Sequence, residues 1–345
     1  MSAFVKYMMA IIAALLLAAE LACAQDHTIA VGIRQIEFAD GDRRLALWMF
    51  YPIRQDAAAK PFAMPFFSNL NLLQDAPPDF GDVRRPLVML SHGRGSNGLP
   101  YAWFGEYLAA RGYIVAAINH HRANTYDSNI AYLANKLWQR PVDIGLAISF
   151  LLRAEPWGPA IDPDRIAVAG HSQGGFTSLW IAGAKVNASK YLAFQNRWRS
   201  DPMIPAHIRA ELPLDAAPAL DVHDRRVKAA FAMAPGIVQA FGMDEAGLRQ
   251  MSVPAFIVVG ARDTQAPPGP NAEFAAKHIP RAELVILKGL VDHEIFTNEC
   301  NQDGRDEFPE ACIDAPGVDR AALHRSIGAS AIGFFDAALG RFGSK

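Results

Sequence analysis

Short, continuous apolar runs, bounded by glycine turns and separated by stretches of helical spacing, organise this chain. Pro86-Leu-Val-Met-Leu90 and Tyr113-Ile-Val-Ala-Ala-Ile118 are too short for helices and apolar at successive positions, so they predict strands buried on both faces. Arg165–Ala169, Val227–Met233, Val253–Val259 and Glu283–Leu287 predict further strands. Between them, Tyr101–Arg111, Val142–Leu152 and Gly174–Ala184 predict helices, the first capped by Gly112. Ala321–Leu339 predicts an amphipathic C-terminal helix. Two strands come first, Ile29–Phe38 and Arg44–Ile53, joined by the turn Ala39-Asp-Gly-Asp42. Strands alternating with helices predict an α/β fold: a mostly parallel sheet covered on both faces. Two stretches break the alternation. Residues 54–82, rich in Pro, Ala and Asn, predict an irregular excursion, and 185–226, without a strand pattern, a small cap insertion over the active site.

The remaining composition narrows this picture. A chain of 345 residues, 51% hydrophobic and 20% charged, is ordinary for a globular protein of one large domain with an insertion. A formal net charge of −2 with interspersed signs excludes the basic footprint of nucleic-acid binding. At the N-terminus Lys6 precedes an apolar run from Met8 to Ala19, and Ala22-Cys23-Ala24 forms a small-x-small site. This pattern predicts a secretory signal over 1–24 and a mature domain over 25–345. The expected location is therefore periplasmic or secreted; acylation of Cys23 as a lipoprotein is the alternative, against which Glu20 stands. No later segment has the length and purity of a membrane span.

With Cys23 removed, Cys300 and Cys312 remain in a polar segment that predicts a loop. An even pair in an oxidising compartment points to a disulfide, with two free thiols as the alternative. The segment lacks the paired spacing of a zinc site, and the adjacent His120 and His121 cannot both face one site from a strand, so no metal and no cofactor are expected.

Gly170-His-Ser-Gln-Gly174 matches G-x-S-x-G, with an apolar strand running into it and a helix beginning after it. That context is what a nucleophile elbow requires, and it makes Ser172 the candidate nucleophile. A serine hydroxyl needs a base. His293, in Gly289-Leu-Val-Asp-His293, follows the last predicted strand and lies downstream of Ser172. His278 and His324 fall in predicted helices, and His171 should point away from the Ser172 hydroxyl. Asp263, in the turn after Val253–Val259, is the candidate acid, with Asp292 and Asp244 as rivals. The oxyanion hole needs two backbone donors: the Gln173 amide and one from His92-Gly-Arg-Gly95. Arg94 is the candidate there, with Gly93 and Gly95 as alternatives; His92 is expected to be structural.

With these motifs the chain resembles secreted bacterial α/β hydrolases of the dienelactone-hydrolase-like group, related to the platelet-activating-factor acetylhydrolases. The resemblance is carried by Ser91-His-Gly-Arg-Gly95, the elbow with its strand, Asp263, and a tail in which His293 precedes Cys300, Cys312 and Pro316-Gly-Val-Asp-Arg320. It implies the α/β-hydrolase fold and hydrolysis of a small-molecule ester of short or modified acyl groups. Dienelactone hydrolases carry a cysteine nucleophile where this chain has Ser172, and many relatives have Pro-Gly where this chain has His121-Arg122. Neither dienelactone nor phospholipid therefore transfers as substrate. A peptidase or amidase of the same fold and a non-catalytic binding protein are the alternatives. The missing N-terminal propeller weakens a prolyl-oligopeptidase-like reading, and the intact Ser172, Asp263 and His293 set weakens the binding-only one.

Overall fold

The computed structural model describes residues 29–200, 206 and 221–340. The expected signal segment, Cys23 and most of 201–220 in the expected cap lie outside the described residues.

Among the described residues ten strands form one sheet in the order β10-β9-β8-β7-β5-β6-β2-β1-β4-β3. The long hairpin is β1 (Ala30–Asp40) and β2 (Arg43–Ile53), paired antiparallel through Gly41, whose φ of +57° suits the tight turn. The parallel centre comprises β5 (Arg85–Ser91), β6 (Ile114–Asn119), β7 (Ile161–His171), β8 (Val227–Met233), β9 (Ala255–Gly260) and β10 (Ala282–Leu287). Every residue of β5, β6 and β9 is buried, as their unbroken apolar runs require. β10, at the sheet edge, is largely exposed.

Helices α1 (Ala102–Ala109), α2 (Gln139–Leu151) and α3 (Gln173–Ile181) follow β5, β6 and β7. Helix α4 (Ala188–Ser200) is anchored by aromatic packing: Phe241 meets Phe176 of α3 and Tyr191 and Phe194 of α4 with ring centroids 4.9–5.3 Å apart. The excursion 54–82 is less irregular than its composition suggests. It holds β3 (Lys60–Pro61) and β4 (Leu72–Gln74), which extend the sheet beyond β1.

The segment between the cysteines, expected to be a loop, is instead two short helices, α5 (Gln302–Glu307) and α6 (Pro309–Cys312). The Asn301 side chain caps α5 by accepting from the Gly304 amide at 2.9 Å, and Pro309 opens α6, where its missing N–H leaves nothing unpaired. Helix signals this short carry no periodicity to read. Cys300 and Cys312 are disulfide-bonded, with Cα atoms 5.5 Å apart. Helix α7 (Arg320–Leu339) closes the chain and packs on α1. No described helix is long and apolar enough to cross a membrane.

The chain passes from β5 to β6 on one side and reaches β7 on the other. The strand order therefore reverses at β5, and open α/β sheets bind ligands at the carboxyl ends of strands flanking such a point.

Candidate active site

Ser172 sits between β7 and α3 with φ +56° and ψ −119°, a backbone conformation that side chains other than glycine rarely adopt. Its surroundings enforce it. The Ser172 amide donates to Met233 O at 2.9 Å, and the Gly236 amide donates to Ser172 O at 3.1 Å. A Cβ on Gly174 would lie 1.9 Å from Ser91 O, and one on Gly170 2.4 Å from the Gly174 carbonyl. Both glycines exist because backbone fills the space a side chain would need.

A comparably close approach brings the acid and base together. The Ala261 and Arg262 amides donate to Leu287 O and Val291 O at 2.9 and 2.8 Å, and a Cβ on Gly260 would lie 2.5 Å from Val291 O. The turn after β9 is thereby laced to the loop after β10. Asp263 Oδ2 meets His293 Nδ1 at 2.7 Å, and its Oδ1 accepts from the Ala266 amide at 2.7 Å. Both side chains are buried. The rival carboxylates serve local turns: Asp292 caps its own helical turn through the Glu294 amide, and Asp244 accepts from the Gly247 amide and Asn187.

Ser172 and His293 line one cavity of about 500 Å³, together with Arg94 and Gln173. Among the described residues no hydrogen bond joins Ser172 Oγ to the imidazole; such contacts commonly tighten only when substrate is bound. One wall carries Phe67, Phe308 and the Cys300–Cys312 disulfide, and Phe194 of α4 reaches the same space. Among the described residues no group of three or more His, Cys, Asp or Glu is placed to hold a metal ion.

The structure matches that of a ferulic acid esterase from Streptomyces cinnamoneus over 92% of this chain and 94% of that chain, with a TM-score of 0.61 at 21% identity. The chain has the α/β-hydrolase fold. Within this hydrolase fold, residues 99–195, which include the elbow, match the prolyl oligopeptidase family. Platelet-activating factor acetylhydrolase of Bos taurus is 29% identical over 137 residues, 27% of this chain and 31% of that protein. An uncharacterized peptidase, YuxL, of Bacillus subtilis is 31% identical over 107 residues, 30% of this chain and 16% of that protein. The chain thus spans about a third or less of these curated relatives.

One residue of this site, Tyr101, carries no signal in the sequence. The Gly93 amide donates to Tyr101 Oη at 3.1 Å, and that hydroxyl bonds His171 Nδ1 at 3.0 Å. His171 Nε2 bonds the His293 carbonyl at 3.1 Å. Burial holds the His171 imidazole well below its usual pKa, so it is neutral, donating from Nε2 and accepting at Nδ1. Burial also pushes Tyr101 up to about 12, keeping its proton. The elbow histidine therefore links the glycine loop to the backbone of His293. His92 is structural, as expected: it is buried, its Nδ1 bonds Gly93 O at 2.6 Å, and its Nε2 accepts from the His120 amide at 3.4 Å. Gly93, with its amide engaged by Tyr101, is displaced as an alternative oxyanion donor. The Arg94 guanidinium lies over the Tyr132 ring, 5.5 Å from its centroid. His120 and His121 face apart: His120 bonds Ser91 and Asp143, while His121 Nδ1 accepts from the Arg44 amide at 3.1 Å. His278 packs against Phe274 with the rings tilted, and His324 stacks on Trp103, both as packing residues.

Proposed function

We propose that the protein is a serine esterase that cleaves carboxylic esters of short or modified acyl groups through an acyl-enzyme on Ser172. The observation that carries this reading is the 2.7 Å Asp263–His293 bond beside a strained serine in one cavity. Asp263 accepts from Nδ1–H, which leaves Nε2 as the acceptor for the Ser172 proton. As Ser172 Oγ attacks the ester carbonyl, its proton passes to His293 and the carbonyl oxygen becomes an oxyanion. The Gln173 amide heads α3, where first-turn amides lack helical acceptors, and together with the Arg94 amide it stabilises that charge. His293 then protonates the departing alcohol, and water repeats the sequence on the acyl-enzyme. The chemistry is complete with these side chains and needs no cofactor.

The cavity volume falls in the range of small-molecule sites, and its Phe67, Phe308 and Phe194 surfaces suit an apolar acyl or alcohol group. Export to the periplasm or beyond, with removal of 1–24, belongs to this reading, as does a cap role for 185–226. The match of residues 99–195 to the prolyl oligopeptidase family favours one second reading, an amidase or peptidase using the same residues.

A panel of p-nitrophenyl esters and aminoacyl p-nitroanilides, assayed with wild type and Ser172→Ala, tests both. Ester turnover that Ser172→Ala lowers by about 10⁴-fold or more is the expected result. Faster amide than ester turnover moves the assignment to the second reading, and full activity in Ser172→Ala ends both.

A further inference from the structure

Arg140, the second residue of α2, is fully buried and lies beneath the active site. One guanidinium nitrogen donates to the His92 carbonyl and, at 3.2 Å, to Ser91 Oγ. Its Nε donates to Thr177 Oγ1 at 3.3 Å, and that hydroxyl donates in turn to the Gln173 carbonyl at 2.8 Å. The two carbonyls it reaches, directly and through Thr177, flank the two amides assigned above to the oxyanion. The peptide joining His92 to Gly93 is held at both ends, its oxygen by Arg140 and its N–H by Tyr101. Arg94 is the next residue along. On the other side, Thr177 ties Arg140 to the first residue of the elbow helix.

The rest of the network orients Arg140. Ser91 Oγ bonds His120 Nε2 at 2.9 Å, and His120 Nδ1 bonds Asp143 Oδ2 at 3.1 Å. Asp143 also accepts from Arg43 Nε at 2.9 Å and from the His121 amide at 3.2 Å. Ser91, His120 and Asp143 repeat the bond order of a catalytic triad, but all three side chains are buried and serve Arg140 rather than a substrate. Burial holds His120 neutral, which fixes the direction of the chain: Ser91 donates to Nε2, and Nδ1–H donates to Asp143. Arg140 Nη1 has no hydrogen-bond partner among the described residues.

Stability alone does not account for this arrangement. A buried charge costs several kcal/mol of desolvation, and apolar replacements of buried ionic networks are often neutral or stabilising. A guanidinium offers instead several donors in one rigid plane, enough to bridge two loops at once.

We propose that Arg140 is a positioning residue that sets the spacing of the Arg94 and Gln173 amides, so that both point at the developing oxyanion. This inference rests on the acyl-enzyme reading above. It makes transition-state binding, not substrate binding, the quantity Arg140 controls.

The test uses the full chain and four variants: Arg140→Met, Thr177→Val, Thr177→Ser and Ser172→Ala. Steady-state hydrolysis of p-nitrophenyl acetate gives kcat and KM, and inhibition by an aryl trifluoromethyl ketone, which forms a tetrahedral adduct, gives Ki. Arg140→Met is expected to lower kcat about 100-fold with KM within about threefold, the scale of a donor displaced by roughly 1 Å. Thr177→Val, which cuts only the elbow side of the bridge, is expected to lose about 10-fold, and Thr177→Ser to recover most of it. In each variant Ki should rise by the factor that kcat/KM falls. Should Arg140→Met fail to fold, Thr177→Val and Thr177→Ser decide. Variants that keep kcat and Ki within about threefold of wild type, or that lose activity through KM with Ki unchanged, overturn the role of Arg140. Turnover persisting in Ser172→Ala instead overturns the acyl-enzyme reading itself, and the inference with it.

Discussion

At the residue scale, small changes of position separate chemistry from packing. Gly174 has no room for a methyl group, since Ser91 O would lie 1.9 Å from its Cβ. Gly174→Ala should therefore cost about 4 kcal/mol or more of stability, or prevent folding, as read by urea unfolding. A variant within about 1 kcal/mol of wild type would show that the elbow is looser than its contacts imply. Tyr101→Phe removes the acceptor for the Gly93 amide and the donor to His171 while keeping the ring. It should lower stability by about 1–3 kcal/mol and kcat by about 10-fold, whereas unchanged kcat would make Tyr101 a packing residue only. The residues easiest to find in the sequence were those fixed by a neighbouring element. Ser172 follows a strand and precedes a helix, and Asp263 and His293 each lie in the connection that follows a strand. Arg140 and Asp143 gave no such signal. Three apart on a helix, they look like a solvent-facing ion pair, and only the fold reveals that Arg140 reaches His92 and Ser91 while Asp143 reaches His120.

At the element scale, the strands were legible because burial on both faces leaves an unbroken apolar run, and β8 falls where its pattern predicts, at Val227–Met233. The short helices α5 and α6 were not, because their formation depends on a cap at Asn301, a proline start and a crosslink rather than on periodicity. Helix α6 lines the cavity through Ala311 and Cys312, and the chain leading into α5 is joined to the excursion 54–82, where the Ser68 amide donates to Glu299 O at 2.9 Å and the Asn301 amide to Phe66 O at 3.1 Å. Replacing both Cys300 and Cys312 by serine should lower stability by about 2–3 kcal/mol, measured by denaturant unfolding. It should also alter KM more than kcat, because the disulfide lines the cavity and supplies none of the groups proposed to act on the ester carbonyl. A kcat loss with KM unchanged would place the disulfide closer to the chemistry than the structure does.

At the scale of the whole molecule, buried histidines couple the fold to pH. Burial lowers the pKa of His92, His120 and His171 well below 6.5 and that of His324 to about 4. Below pH 6.5 these groups take up protons in the unfolded chain but not in the folded one, so stability falls as the medium becomes more acidic. Glu106 and Asp143, raised by burial to about 7 and about 6, act in the opposite direction and lose stability as pH rises through those values. His324→Phe retains the stack on Trp103 and should reduce the loss between pH 6.5 and 4 by up to about 3 kcal/mol. Equal pH slopes in variant and wild type would assign acid sensitivity to other groups.

The central claim is that Ser172 is activated by His293, which Asp263 orients. Fluorophosphonate labelling followed by peptide mass spectrometry tests it most directly. A single adduct on the peptide containing Ser172, slowed at least about 10³-fold in both His293→Ala and Asp263→Asn, is the result expected. An adduct elsewhere, or labelling at the wild-type rate in either variant, would contradict it.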